Sequence, residues 1–323
     1  MELGKLTNQQ MEEILFRKIK RKRTETILGP AIGADCALAD FGDNYLVISA
    51  DPITGTEKGI GRLCVNICCN DIAAAGGEPV GMLVTMLIPP TGTMQQVEEI
   101  IDDILSACED NEIDLIGGHT EISSAVNRFV LSGVSLGKRP KLPFLSIKSG
   151  DRLVMSKTAG IEGTAIIAAE KREELQSIFS DDELDEAIGW MKQTSVVREG
   201  IIGRENQVIM MHDATEGGVL GAIWEMSENL QMGIEIELNR IPIHKLTKKI
   251  CNYFQIDPMR LISSGVMLFA VADANKLIDE LKLHGIPAVA IGTFIKEKKY
   301  IIAHHTKMEL LPPKSDELYS VLK

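Results

Sequence analysis

From Gly59 to Ala75 the chain carries almost no charge until Asn70-Asp71, and Gly76-Gly77 closes the stretch. A segment of that length without a polar face is expected to be a helix buried along most of its length. The glycine pair supplies the left-handed turn that stops it. The body available to bury it has 323 residues, 45% hydrophobic and 25% charged, which is comfortable for two domains of ordinary size. Those proportions exclude wholesale disorder and a collagen-like rod.

Lys+Arg number 34 and Asp+Glu 46, so the net charge is −12. An acidic protein repels a phosphate backbone, which disfavours nucleic acid as a partner. A small anionic substrate would need a local device, a metal ion or a helix N-terminus, to overcome that field. No apolar run reaches the roughly 18 residues of a membrane-spanning helix. The longest, Val80–Pro90, is broken by Thr85. The opening Met1-Glu2-Leu3-Gly4-Lys5 has no apolar signal core, and the expected location is cytoplasmic. The six cysteines (Cys36, Cys64, Cys68, Cys69, Cys108 and Cys251) show no CxxC or disulfide spacing. Free thiols are expected, with Cys64, Cys68 and Cys69 on the buried helix rather than on a metal.

Residues 8–23 read as an amphipathic helix with Met11, Ile14, Leu15 and Ile19 on one face, ending in the basic run Arg17–Arg23. That run reads as a solvated face, with contact to phosphate as the alternative. A strand at Tyr45–Ala50 is expected to stop at Asp51-Pro52. Val80–Ile88 reads as a buried strand. Thr91–Asn111 is a helix whose Val97, Ile100, Ile101, Ile104, Leu105 and Cys108 share helical spacing. A short strand, Ile113–Ile116, leads into Gly117-Gly118-His119-Thr120-Glu121, and Phe129–Leu136 forms the next. Gly137–Gly150, with two prolines and little periodicity, is the expected boundary between domains at 1–145 and 146–323. The second half reads as strands at Arg152–Ser156, Val208–Met211, Ile234–Leu238, Val266–Val271 and Ala288–Phe294. Helices stand at Ala165–Ala169 and Val219–Asn229. Strands mixed with helices at short spacing give an α/β or α+β class.

One arrangement recurs: an Asp at a strand end or in a tight glycine or proline turn. It occurs at Asp35, Asp51 and Asp213, while Asp71 lies late in the buried helix. A lone buried carboxylate is costly, so several near an apolar framework ask for a cation. Mg²⁺ takes oxygen ligands and commonly bridges carboxylates to phosphates. Each Asp alone reads first as an Asx-turn or helix cap, and it is the four together that point to a cation. Gly160-x-x-Gly163 and Gly217-Gly218 precede apolar helices, where backbone N–H groups can face an anion; the alternative is a plain helix start. The two common nucleotide fingerprints are absent. His119 is either a base or ligand or a hydrogen-bonded turn histidine, and His304-His305 reads as surface. No Ser-His-Asp or Gly-x-Ser-x-Gly pattern supports acyl-enzyme chemistry.

Taken in order, Gly33-Ala34-Asp35-Cys36-Ala37, Ser49-Ala50-Asp51, the block from Asn70-Asp71 to Gly76-Gly77-Glu78-Pro79, Ile116 to Glu121 and Met211 to Gly218 resemble the aminoimidazole ribonucleotide synthetase-like superfamily. That group includes the purine enzyme, thiamine-monophosphate kinase, selenophosphate synthetase and the hydrogenase maturation factors that dehydrate a carbamoyl thioester. The resemblance covers roughly residues 25–300 and is closest to the maturation-factor branch. It implies an N-terminal α/β domain that dimerises into a barrel-like core, with a C-terminal α/β domain over it. It also implies ATP held through Mg²⁺ by Asp35, Asp51, Asp71 and Asp213. By the same resemblance, catalysis falls to Asp51, Asp71 and His119. Nucleotide contacts fall to Gly33, Asp35, Asn70, Gly117, Gly118, Thr120, Lys157, Gly160, Gly163, Gly217 and Gly218.

The chain also departs from the pattern. Ala34 and His119 stand where family members often have acidic residues, and Ser263-Ser264-Gly265 replaces an Asn-Glu-Gly segment. The sequence ends Tyr319-Ser320-Val321-Leu322-Lys323, without the tail cysteine that carries the carbamoyl group. No cysteine precedes Cys36, which argues against selenophosphate synthetase. The expected function is therefore Mg²⁺-dependent transfer of the ATP γ-phosphoryl to an oxygen of a small carbonyl or amide-type substrate. The alternatives are a catalytically lapsed nucleotide-binding partner in an assembly or regulatory pathway, and a small-molecule kinase of the thiamine-monophosphate type.

Overall fold

The computed structural model describes residues 6–20, 23–303 and 306–322; Met1–Lys5, Arg21-Lys22, His304-His305 and Lys323 lie outside the described residues. Two sheets organise the chain. The first comprises β1 (Thr26–Leu28), β2 (Ala37–Asp40), β3 (Asn44–Ile53), β4 (Glu78–Ile88), β5 (Asp114–Ile122) and β6 (Val130–Pro140). Their spatial order is β1-β2-β3-β6-β4-β5, antiparallel except for the β4–β5 pair. Helices α1 (Asn8–Ile14), α2 (Ile60–Ala74) and α3 (Met94–Asp110) accompany it.

Residues 141–149 carry no helix or strand, and the second sheet follows. It comprises β7 (Arg152–Ser156), β8 (Met210–Asp213), β9 (Gly233–Glu237), β10 (Met267–Val271), β11 (Ala288–Ile295), β12 (Lys299–Ala303) and β13 (Thr306–Glu309). Their order is β13-β12-β9-β11-β7-β10-β8, with only β9 and β12 parallel. Helices here are α4 (Ile161–Glu170), α5 (Arg172–Leu175), α6 (Asp181–Gly189), α7 (Val197–Glu205), α8 (Gly218–Asn229), α9 (Lys245–Phe254), α10 (Ala274–Leu283) and α11 (Leu318–Val321). Every residue of β10 is buried. Met267 and Phe269 join one core cluster while Leu268 and Ala270 join another, as expected for a strand covered on both faces. Among the described residues no helix is long and apolar enough to cross a membrane.

The nearly uncharged stretch is α2; all of its residues are buried, and its one cation, Arg62, is paired with Asp103 and Asp110 of α3. It lies on β3 and β6 and also packs against α7 and β8 of the second half. It is thus enclosed by both halves, which explains why its few polar side chains, Arg62, Asn66 and Asn70 among them, are all hydrogen-bonded within the protein. Gly76 and Gly77 end it by donating their N–H groups to Ala73 and Ile72 carbonyls at 2.8 Å. The six cysteines are free and buried.

Several elements differ from expectation. Helix α1 stops at Ile14 and gives way to a 3₁₀ turn at Phe16–Lys18; Ile14, Leu15 and Ile19 are exposed. A capping box of Thr7 and Gln10 fixes its start. β3 runs through Pro52 to Ile53, because its pairing with β2 ends at Ile48. Past that point one edge of β3 has no ladder to feed, so the missing N–H costs nothing. Gly117–Glu121 is strand, not turn: it continues β5 alongside β4 across an irregularity at Met82/Leu83. Helix α4 begins at Ile161, which places Gly163 inside the helix rather than in the loop before it. On α3, Ile101 and Leu105 share the helical spacing of the core positions yet remain exposed.

Candidate functional site

A cavity of about 420 Å³ lies where the two halves meet. Its first-half wall is the loop Ala31–Asp35, the end of β3 from Ala50 onward, and Asp71 of α2. The second half contributes Glu162 of α4, His212 of β8, Thr215 and Glu216 of the turn before α8, Glu225 of α8, Ser264 and the tail residues Leu318 and Tyr319. Among the described residues lining it there is no lysine or arginine. Acidic groups therefore dominate its field.

The loop reaches its place because Asn229 donates its side-chain N–H to the carbonyls of Ile32 and Gly33, both at 3.0 Å. Gly33 has φ +67°, and a Cβ there would stand 2.8 Å from the Glu225 carbonyl oxygen, so only glycine permits this approach. Next in the loop, Asp35 Oδ2 meets His212 Nδ1 at 2.9 Å. His212 Nε2 lies 3.3 Å from Glu225 Oε2, and Asn8 donates to the other Glu225 oxygen at 3.3 Å. Glu225 and Asn229, four residues apart, thus share one face of α8 and fasten the loop to it. Burial works against charge on His212, but Asp35 and Glu225 on either side prevail and hold it protonated well above the ordinary histidine range.

Asp35, His212 and Asp213 offer ligand atoms within 4.8 Å of one another. Ser49 donates its hydroxyl to Asp71 and stands 3.4 Å from Asp51 Oδ2. Burial drives the Asp71 carboxyl well above the usual carboxylate range, and Asp213, Asp51 and Asp35 push it further. The same four aspartates, after burial, raise the Cys36 thiol. The structure therefore gathers Asp35, Asp51, Asp71 and Asp213 into one electrostatic neighbourhood of oxygen donors.

Other expected site residues stand elsewhere or are already engaged. Asn70 spends both halves of its amide on the second half: Nδ2 donates to the Thr194 carbonyl at 2.7 Å, and Oδ1 accepts the Val196 N–H at 2.8 Å. Lys157 lies in a separate cavity of about 1020 Å³. Its ammonium donates to the Ser195 carbonyl at 2.7 Å and pairs with Glu199 at 2.8 Å. Gly160 donates its N–H to the Ser263 hydroxyl at 2.8 Å, and Gly163 makes room for Leu261. Gly217 donates to Asp316 Oδ2 at 2.7 Å, so a carboxylate of the chain itself occupies the turn before α8. Gly218 donates to the Thr215 carbonyl at 3.0 Å.

Gly117, Gly118, His119 and Thr120 lie on exposed β5. Strands β6 and β4 stand between β5 and Asp51 of β3, roughly 14 Å at the usual strand spacing. Gly118 is required sterically: a Cβ there would fall 1.8 Å from the Val84 carbonyl oxygen. His119 faces Glu121 at 3.1 Å in the open.

His212 was visible beside Asp213 in the sequence, but nothing there gave it a role. Ser49 and Ser264 stand in segments that carry the resemblance or depart from it, but without roles of their own; Glu162 reads as a loop residue and Glu225 as an ordinary polar helix residue, and only the fold turns them inward.

Comparison with known proteins agrees with this architecture. The N-terminal domain of the AIR synthase related protein family matches residues 33–138, and its C-terminal domain matches residues 148–305. A protein of Methanocaldococcus jannaschii bearing the name hydrogenase expression/formation protein is 27% identical over 313 residues, covering 93% of this chain and 90% of its own. The carbamoyl dehydratase HypE of Rhizobium leguminosarum bv. viciae is 23% identical over 269 residues, 80% of this chain and 74% of its own. The crystal structure of the hydrogenase maturation protein HypE in complex with ATP superposes with a TM-score of 0.72 at 16% identity, covering 98% of this chain and 97% of that one. With both domain models placed in order across the two sheets, the chain belongs to the AIR synthase related protein family.

Proposed function

We propose that the chain is a cytoplasmic, Mg²⁺-dependent ATP-binding enzyme that transfers the γ-phosphoryl group to an oxygen of a small carbonyl or amide-type substrate. The observation that carries this reading is the cluster of Asp35, Asp51, Asp71 and Asp213 at a cavity with no lysine or arginine among its described lining. A polyphosphate cannot approach such a surface without a cation between. The donor set is all hard oxygen on these four residues, which suits Mg²⁺. Bound there, Mg²⁺ would supply neutralisation of charge on the migrating phosphoryl. The side chains have their own tasks. Ser49 orients Asp71 by hydrogen bonding, and protonated His212 fixes Asp35 while offsetting part of the local negative charge. The relatives support the choice of nucleotide and substrate type: one is named as a carbamoyl dehydratase and one structure holds ATP.

A homodimer accompanies this reading. The face of the first sheet turned away from α2 carries Leu46, Ile48, Leu83, Leu87, Val134 and Leu136, none of them buried. A second copy covering it is also the means by which β5 residues such as His119 and Thr120 would join a nucleotide site.

The alternative, a nucleotide-binding assembly or regulatory protein without turnover, draws on Asp316. Its carboxylate already fills the turn at Gly217. Calorimetric titration of ATP with and without Mg²⁺, on wild type and Asp51→Asn, tests the shared premise. Binding that requires Mg²⁺ and weakens about 10-fold or more in the variant supports it, since one lost metal carboxylate should cost more than about 1.4 kcal/mol. No binding to wild type overturns both readings. ADP formation with bound ATP then separates enzyme from lapsed relative.

A further inference from the structure

The row of β6 that faces α2 runs Leu131, Gly133, Ser135 and Gly137, all of them buried, and the next residue in it is Arg139. Helix α2 has ended by then, so Arg139 stands past its last turn, where a Cβ on Gly76 would lie 3.5 Å from Arg139 Nε. There it lines a second cavity, of about 430 Å³. The other walls are Ala74, Ala75 and Gly76 at the end of α2, residues 142–145 of the linker, and the passage from α7 into β8. No lining residue is shared with the cavity that holds the four aspartates. Leu142, Phe144 and Leu145 remain exposed along its linker wall.

In a chain of net charge −12, this lining is cationic: Arg139 and Arg204 stand against one acid, Glu205. Arg139 is half-buried, with its guanidinium carbon 4.8 Å from the centroid of the Phe144 ring. Burial lowers its pKa. Among the described residues, neither guanidinium donates a hydrogen bond or pairs with a carboxylate. A guanidinium brings five N–H donors in a planar fork, and a partly desolvated charge without a partner is costly. The negative ends of α2 and α7 both reach this cavity. They favour a nearby cation, and with Glu205 they limit how much further negative charge the site can hold.

We infer that this cavity is a binding site for a small monocarboxylate carried on an apolar body, with Arg139 pairing to the carboxylate. The fork geometry of the guanidinium matches a carboxylate bidentately. Arg204 adds a second positive charge to the lining, while Glu205 and the two helix ends discriminate against a dianion such as phosphate. Leu142, Leu145, Val208 and Met210 supply apolar surface for the body of the ligand. The volume is that of a site for a small molecule, and its mixture of apolar wall and few polar groups is the usual make-up of one.

The test is calorimetric titration of the full chain with octanoate. Octanol serves as the uncharged control of equal length, acetate as the charge without the body, and inorganic phosphate as the bare anion. Octanoate should bind saturably and about 10-fold or more tighter than each of the three. That comparison needs no variant. Arg139→Gln, with its folding checked by thermal unfolding, should weaken octanoate about 10-fold or more and leave octanol unchanged. Octanol binding equal to octanoate overturns the charge assignment and the inference with it. Phosphate or acetate binding as tightly as octanoate overturns the ligand class. An unchanged octanoate Kd in folded Arg139→Gln, or no saturable binding of octanoate to wild type, overturns the site.

Discussion

Asn70 suggests one task by its place in the sequence and shows another by its contacts in the structure. Beside Asp71 in the sequence it looks like a nucleotide contact. In the structure its amide bridges the Thr194 carbonyl and the Val196 N–H, both on the other half of the molecule. Asn70→Ala would leave two buried backbone groups without partners. At about 1–3 kcal/mol for each unsatisfied group, the expected loss is about 3 kcal/mol, read as a lower denaturant midpoint with an unchanged slope. A large loss of ATP affinity at unchanged stability would contradict the bridging role. Asp71, one residue on, is turned toward Ser49 and the other aspartates. Adjacent helix positions point about 100° apart, so neighbours in sequence serve different masters.

At the level of the element, α4 carries a pH dependence that can be signed. Glu162 has a folded value of about 7 against an ordinary 4.5. The native state therefore binds a proton that the unfolded chain has already released. Its contribution to stability is complete below about pH 4.5 and is lost as pH rises through about 7. The difference corresponds to about 3 kcal/mol for a fully buried group. Thermal unfolding of wild type and Glu162→Gln between pH 5 and 8 should show a shallower decline with rising pH in the variant. Parallel curves would place the raised carboxyl elsewhere, with Asp316 next, at about 6. The turn before α8 teaches a related lesson. Gly217-Gly218 has the sequence of an anion-binding helix start, and an anion is there, but it is Asp316 of the same chain.

The whole molecule exposes one surface that a single copy leaves uncovered. Alternation along β3, β4 and β6 turns Val47, Met82 and Leu131 toward α2 and sends Leu46, Leu83 and Val134 outward. An uncovered apolar sheet face is the kind of patch a second copy buries. Leu83→Lys on the proposed dimer face should halve the mass measured by light scattering while leaving the secondary structure intact. A wild type that is monomeric at all concentrations would remove the dimer from the proposal, and β5 with it from the nucleotide site.

Much of this was legible in the residue order. The burial of α2 follows from its scarcity of charge, its end from Gly76-Gly77, and the mixed α and β class from the spacing of strands and helices. The four aspartates were also marked in advance, because a carboxylate beside a tight turn in an apolar setting is a chemical anomaly wherever it occurs. Convergence could not be read that way. Asp35 and His212 are 177 residues apart in sequence and 2.9 Å apart in space, and no local periodicity encodes that distance. Nor did the sequence distinguish Glu162 and Glu225 from the many glutamates that face water; burial by distant elements alone gives them their character. Pro52 within a strand and Gly117–Glu121 as strand rather than turn were decided by which neighbouring strand ends where. Local preferences set the elements, because they act over one turn or one pleat. The site belongs to the tertiary structure, because desolvation and charge coupling depend on everything packed around a group.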